Sequence, residues 1–169
     1  LDFYIEGDPS PDISGMIGQF AHGNEPSHHI LYLYTMLGEP HKTAKWVREV
    51  VRTQYRDAYD GLSGNEDMGQ MSAWYLMSAL GFYEVEPASG RYWFGSPSIE
   101  RADIMVEGGT FTIETVNNSD ENIYIKRIRL NGKEYSLPYI EHKDIAAGGE
   151  LIIEMSNTPG LWYDANIIR

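Results

Sequence analysis

The hydrophobic pattern changes period near residue 90, and no other feature restricts the possible folds of this chain as much. Before that point apolar residues recur at helical spacing. In "EPHKTAKWVREVVRTQYRDAY" the residues Trp46, Val47, Val50, Val51 and Tyr55 form one stripe with basic residues opposite. This predicts a helix from about Lys42 to Ala58, begun by the turn at Pro40. The segment Ser27 to Leu37 carries Ile30, Leu31, Leu33, Tyr34 and Leu37 at similar spacing, with Asn24 as its N-cap, Pro26 in its first turn and Gly38 as its stop. "GQMSAWYLMSALGF", apolar nearly all round and punctuated by Gly81, predicts a buried helix.

Beyond "EPASGRYWFGSP" the period falls to two. Phe111 and Ile113, then Ile123, Ile125, Ile128 and Leu130, alternate with polar residues, and turn clusters stand at Gly108-Gly109, Asn117 to Asp120 and Asn131-Gly132. Asn-Gly between alternating runs is a strong hairpin signal. A further strand is expected at Glu150 to Ser156, giving an antiparallel β unit of about five strands. The fold class is therefore α+β, with helices over 1–90 and strands over 91–169.

Two polar loops interrupt the helical half. "AHGNEPSHHI" (21–30) gathers His22, His28 and His29 with Asn24 and Glu25, and "GNED" (64–67) sets Asn65, Glu66 and Asp67 just ahead of an apolar helix. His28 and His29 are adjacent, so on a helix they point about 100° apart; a zinc pair on one helix face needs i, i+4 spacing. The residues leave two readings open for the first loop: a capped, dipole-matched helix start whose histidines satisfy backbone groups, or one wall of a site. Clustered acids at the start of a buried helix call for partners such as a cation, water or substrate hydroxyls. With one helix between them, both loops would lie on the same rim. Carboxylates and amide oxygens there suit a hard cation or acid–base hydrolysis. Asp12, Ser14 and Gln19 could line that rim, Asp60 reads as a turn residue, His142 as a surface histidine, and Trp93 and Trp162 as core.

Charge narrows the partners. A net charge of −12 argues against nucleic acid, because neutralising phosphates needs a basic surface. The 42% apolar and 22% charged content excludes a mostly disordered chain, and with no cysteine there is neither disulfide nor thiolate metal site. No apolar run approaches the roughly twenty residues of a membrane span. The opening "LDFYIEGDPSPD" starts in mid-pattern, as a piece of a longer chain would, so a secretory signal could lie upstream.

Four stretches taken in order, "DISGMIGQFAHGNEPSHHILYLY" (12–34), "GLSGNEDMGQMSAWYLMSALGFYEVEP" (61–87), "YWFGSPSIERADI" (92–104) and the looser "RIRLNGKEYSLPYIEHKDIAAGGELIIEMSNTP" (127–159), closely resemble the C-terminal part of the bacterial α-1,2-mannosidase family, glycoside hydrolase family 92. The resemblance implies the last helices of an (α/α)6 barrel followed by an antiparallel β segment, with an N-terminal β-sandwich elsewhere in the same enzyme. It implies exo-hydrolysis of mannose-containing glycans with inversion, assisted by Ca²⁺ on the sugar's 2- and 3-hydroxyls. Carried over by position, Asp67 is the general base, Asn65 stands where many relatives carry a second Asp, and Asn24, Glu25 and Asp67 are metal-site candidates. Asn24, Glu25, His28 and His29 form the substrate-binding set. Asn65 departs from the pattern because an amide cannot take a proton. The general acid, a Glu in an "EGN-WQY"-like segment, is not found; Glu6 in "YIEGDP" resembles it only superficially, which places the acid upstream of Leu1 and implies an isolated chain without activity. A periplasmic or secreted setting and self-association through apolar surface are further expectations. The alternative class is a non-catalytic carbohydrate-binding or structural module.

Overall fold

The computed structural model describes Ile5 and residues 14–168, with side chains to residue 166; Glu6 and Asp12 lie outside the described residues. The chain opens with a two-residue hairpin, β1 (Met16–Ile17) against β2 (Phe20–Ala21). The segment expected as one helix over 27–37 is instead two 3-10 turns, Glu25–Ser27 and Ile30–Tyr32, running into a short α1 (Leu33–Met36). Ser27 explains the difference: its Oγ lies 2.5 Å from the Ala21 carbonyl and 2.7 Å from that of Asn24, which fixes a tight turn where a helix would otherwise begin. Asn24 occupies the cap position with extended backbone, but its side chain makes no capping bond.

Helix α2 (Pro40–Gln54) carries the amphipathic stripe, with Pro40 in its first turn and Val47 and Val50 fully buried. It stops short of Ala58 because Tyr55 turns extended and pairs with Leu62. Helix α3 (Gln70–Leu80) follows three successive left-handed residues, Asp67, Met68 and Gly69 at φ 47°, 59° and 91°. Left-handed Gly81 ends it, donating its N–H to Met77 and Ser78. The helix is not buried all round: Met71 and Trp74 are at 0% exposure while Tyr75 and Leu76 are 40% and 59% exposed.

Strands β3 (Phe82–Glu84), β4 (Arg91–Phe94) and β9 (Tyr139–Glu141) form an antiparallel sheet that straddles residue 90. A second sheet has the order β5-β6-β10-β7-β8, built from β5 (Arg101–Val106), β6 (Gly109–Val116), β7 (Tyr124–Leu130), β8 (Lys133–Tyr135) and β10 (Gly149–Ser156). The antiparallel expectation needs one correction, since β10 runs parallel to β6. Strands β6 and β7 point in opposite directions, so a strand inserted between them must run parallel to one of the two. The crossover that permits this includes α4 (His142–Ala146). Opposite Glu154 and Met155 the ladder slips by one residue, and the resulting bulge lets both Lys126 and Arg127 pair with Glu154.

Two cores result. Phe111, Ile113, Ile128, Leu151 and Ile153 pack with Phe82, Phe94 and Ile140 between the sheets, while Phe20, Leu31, Tyr32, Val47, Val50 and Trp74 pack in the helical half with Trp93. Trp93 and Phe94 are consecutive on β4 and face opposite sides, so this one strand closes both cores. Arg48 adds a polar tie, donating from α2 to Ser96 Oγ at 2.9 Å, to the Pro97 carbonyl and to Asn118 Oδ1.

Candidate functional site

The first loop is organised around two buried histidines. His22 and His28 are 0% and 1% exposed, with rings stacked at 4.7 Å and 22° between planes. Tyr55 Oη donates to the Met71 carbonyl at 3.1 Å, so it accepts from His22 Nε2 at 2.7 Å. His28 Nε2 donates to the His22 carbonyl at 3.0 Å, which leaves His28 Nδ1 to accept from Gln70 Nε2 at 3.1 Å. Gln70 spends its second amide hydrogen on Tyr83 Oη at 3.0 Å, and Trp74 Nε1 donates to the His28 carbonyl at 3.1 Å. These directions assign both rings as neutral Nε2–H tautomers. Burial holds the His22 imidazole well below its ordinary range, helped by the neighbouring His28; burial also lowers His28, partly offset by its bond to the His22 backbone. Burial pushes the Tyr55 and Tyr83 hydroxyls up.

The second loop meets the first through backbone. Gly64 lies over Gly23, and a Cβ on residue 64 would sit 2.6 Å from the Gly23 carbonyl oxygen. The two loops that the sequence suggested would share a rim are thus in direct contact. Within the second loop Glu66 has a structural duty: its oxygens accept from Ser72 N at 3.0 Å and Ser72 Oγ at 2.9 Å, satisfying the first turn of α3. Asn65 and Asp67 are exposed beside it, and Asp67 sits on the left-handed turn.

Across the junction, Glu25 is half-buried and its Oε1 is buried without a hydrogen-bond partner. A carboxylate oxygen left in that condition costs free energy unless a cation or donor meets it, which makes Glu25 the residue of this loop best suited to a ligand. Asn24 is exposed next to it, and His29 is half-exposed. His28, by contrast, has both ring nitrogens engaged inside the protein. Among the described residues no group of three or more His, Asp or Glu side chains converges as a metal cage. Glu25 offers a carboxylate and Asn24 an amide oxygen, the ligand types that a hard cation takes. A cleft of about 310 Å³ lies nearby, flanked by Tyr55, Leu62, Ser72 and Tyr75, and none of the sequence-predicted site residues lines it.

Sequence reasoning gave His22 no catalytic or binding role and left Tyr55, Gln70, Trp74 and Tyr83 out of the site. A Gln in the first turn of α3, directly after the acidic loop, was the available signal. Outside the site, His142 is exposed and Trp93 is buried, in line with expectation, and no helix among the described residues is long and apolar enough to cross a membrane.

Residues 1–157 match the glycosyl hydrolase family 92 catalytic domain. A family 92 alpha-mannosidase from Bacteroides thetaiotaomicron superposes with a TM-score of 0.87 at 40% identity, covering 95% of this chain and 21% of that one. A family 92 inverting mannosidase from Bacteroides thetaiotaomicron VPI-5482 superposes with a TM-score of 0.78 at 39% identity, over 84% of this chain and 19% of the other. An uncharacterized secreted glycosidase of Arthroderma benhamiae is 33% identical over 144 residues, 83% of this chain and 19% of that protein. The chain thus spans about a fifth of the length of these relatives.

Proposed function

This chain belongs to glycosyl hydrolase family 92, and from that premise we propose that it carries the general-base side of a calcium-assisted, inverting exo-α-mannosidase site. The observation that carries the reading is the Gly23–Gly64 contact, which sets the loop of Glu25 against the loop of Asp67. In this reading the exposed carboxylate of Asp67 removes a proton from a water as the water oxygen attacks the anomeric carbon. The glycosidic oxygen leaves from the opposite face of the ring with a proton from a carboxylic acid. That acid belongs to a part of the enzyme outside these residues, and the 169-residue chain alone does not turn over.

Asn65 cannot take the proton; its amide orients the water or the sugar. Glu25, Asn24 and Asp67 would hold the calcium, and His29 faces the sugar. Bound there, Ca²⁺ would draw electron density from the sugar's 2- and 3-hydroxyls and favour ring distortion. The helical half is read as the end of an (α/α)6 barrel, and the enzyme as secreted or periplasmic, in keeping with the secreted relative. Self-association through exposed Tyr75 and Leu76 fits the same reading. In an enzyme carrying the whole catalytic domain, Asp67→Ala should abolish turnover of α-mannosides; wild-type turnover would remove the base assignment.

A further inference from the structure

The hydrogen bonds around the two histidines form a ring that the backbone between Gln70 and Met71 closes. His22 Nε2 donates to Tyr55 at the end of α2, and Tyr55 donates to the Met71 carbonyl in the first turn of α3. Gln70, one residue earlier in that turn, donates to His28 Nδ1, and His28 Nε2 returns to the His22 carbonyl. Gln70 only donates and the Met71 carbonyl only accepts, so the bonds run as one directed chain from the Gln70 amide to that carbonyl, and the Gln70–Met71 backbone joins its two ends where His22 and His28 are buried. Such a ring has one proton arrangement, because reversing any bond leaves a carbonyl facing a bare acceptor.

Its position matters. Glu25 lies between His22 and His28, and Asp67 lies three residues before Gln70. We infer that Gln70 and Tyr55 are positioning residues, which act through the His22–His28 ring to hold the Glu25 loop and the Asp67 loop in one fixed register. The inference rests on the mannosidase reading for its kinetic consequence but not for the ring. The Tyr55 hydroxyl and the Gln70 amide hydrogens are engaged with protein groups. Their effect is on where two carboxylates stand, and in a reaction that needs a water aligned between a base and an anomeric carbon a displacement of about 1 Å can cost on the order of 100-fold in rate.

The test is a double-mutant cycle in an enzyme carrying the whole catalytic domain, with Gln70→Leu, Tyr55→Phe and both together. Either single change opens the ring, so each should lower kcat about ten-fold or more with KM within about twofold. The double variant should then resemble the worse single one, because a ring opened once has little left to lose. Singles with wild-type kcat, or losses that multiply in the double variant, would overturn the proposal. Melting temperatures measured in parallel separate a folding defect, which would lower the active fraction and leave kcat per titrated site intact. Long-range nitrogen–proton NMR of the histidine-labelled chain decides the ring without reference to mannosides. Both imidazoles should be Nε2–H tautomers, and Gln70→Leu should shift His28 Nδ1; an Nδ1–H tautomer at either ring would refute it. A wild-type enzyme inert on α-mannosides alongside the expected tautomers would refute the mannosidase reading alone.

Discussion

Gly64 rests against Gly23 so closely that a Cβ on residue 64 would come within 2.6 Å of the Gly23 carbonyl oxygen. Two glycines thereby let two polar loops share one rim, and at this point backbone meets backbone. Gly64 also has φ +77°, so an alanine there meets strain and collision together. Gly69 isolates the first effect, with φ +91° and nothing within 4 Å.

Gly64→Ala should therefore destabilise the chain by about 3 kcal/mol, and Gly69→Ala by about 1–2 kcal/mol. Chemical denaturation of both variants measures the difference. Equal losses would show that the Gly23 contact yields without cost.

The buried histidines tie stability to pH. His22 and His28 have folded-state values below the ordinary 6.5, so above pH 6.5 they are neutral in both states and their contribution is complete. As pH falls below 6.5 the unfolded chain takes up the protons first, and stability is lost toward the lowered folded-state values. The limiting slope is about 1.4 kcal/mol per pH unit for each imidazole. His22→Phe should flatten the acid limb of a plot of melting temperature against pH by one imidazole's share.

Glu25 should trade stability for binding. With Oε1 buried and unpartnered, Glu25→Gln should leave the calcium-free protein as stable as wild type or more so. It should also remove the stabilisation that calcium confers, about 2.7 kcal/mol at a concentration 100 times the dissociation constant. Thermal melts with and without CaCl₂ read both effects; an unchanged calcium response would exclude Glu25 as a ligand.

Arg48 should matter to the union of the two halves. It spans from α2 to Ser96, Pro97 and Asn118, and Arg48→Met would leave those acceptors without their donor. A loss of about 2–3 kcal/mol is expected. Arg48→Lys should recover little of it, since one ammonium cannot reproduce the planar fork that serves three acceptors. Urea denaturation of the two variants checks this.

Much of the architecture is legible along the chain. The Val47–Val50 stripe with Pro40 ahead of it gives α2, Gly81 ends α3, and Asn131-Gly132 joins β7 to β8 with both residues at positive φ. Glu66 and Asp67 stood out because clustered acids ahead of an apolar helix need partners, and Glu25 through the resemblance to family 92. The 3-10 turns after Asn24 were not legible, because they follow from Ser27 reaching back to Ala21. Nor was the role of His28, whose ring nitrogens are taken by His22 and by Gln70, 42 residues away.

By itself the sequence determined what neighbours in the chain decide: period, turns, caps, and the order of helices before strands. Those depend on backbone preferences and side-chain spacing within a few residues. Only the tertiary structure decided that β10 enters between β6 and β7, that Trp93 and Phe94 close two cores from one strand, and that Gly23 meets Gly64. Each of these follows from distant segments competing to bury the same apolar faces and to satisfy the same backbone groups, and local periodicity carries no record of which pairing wins.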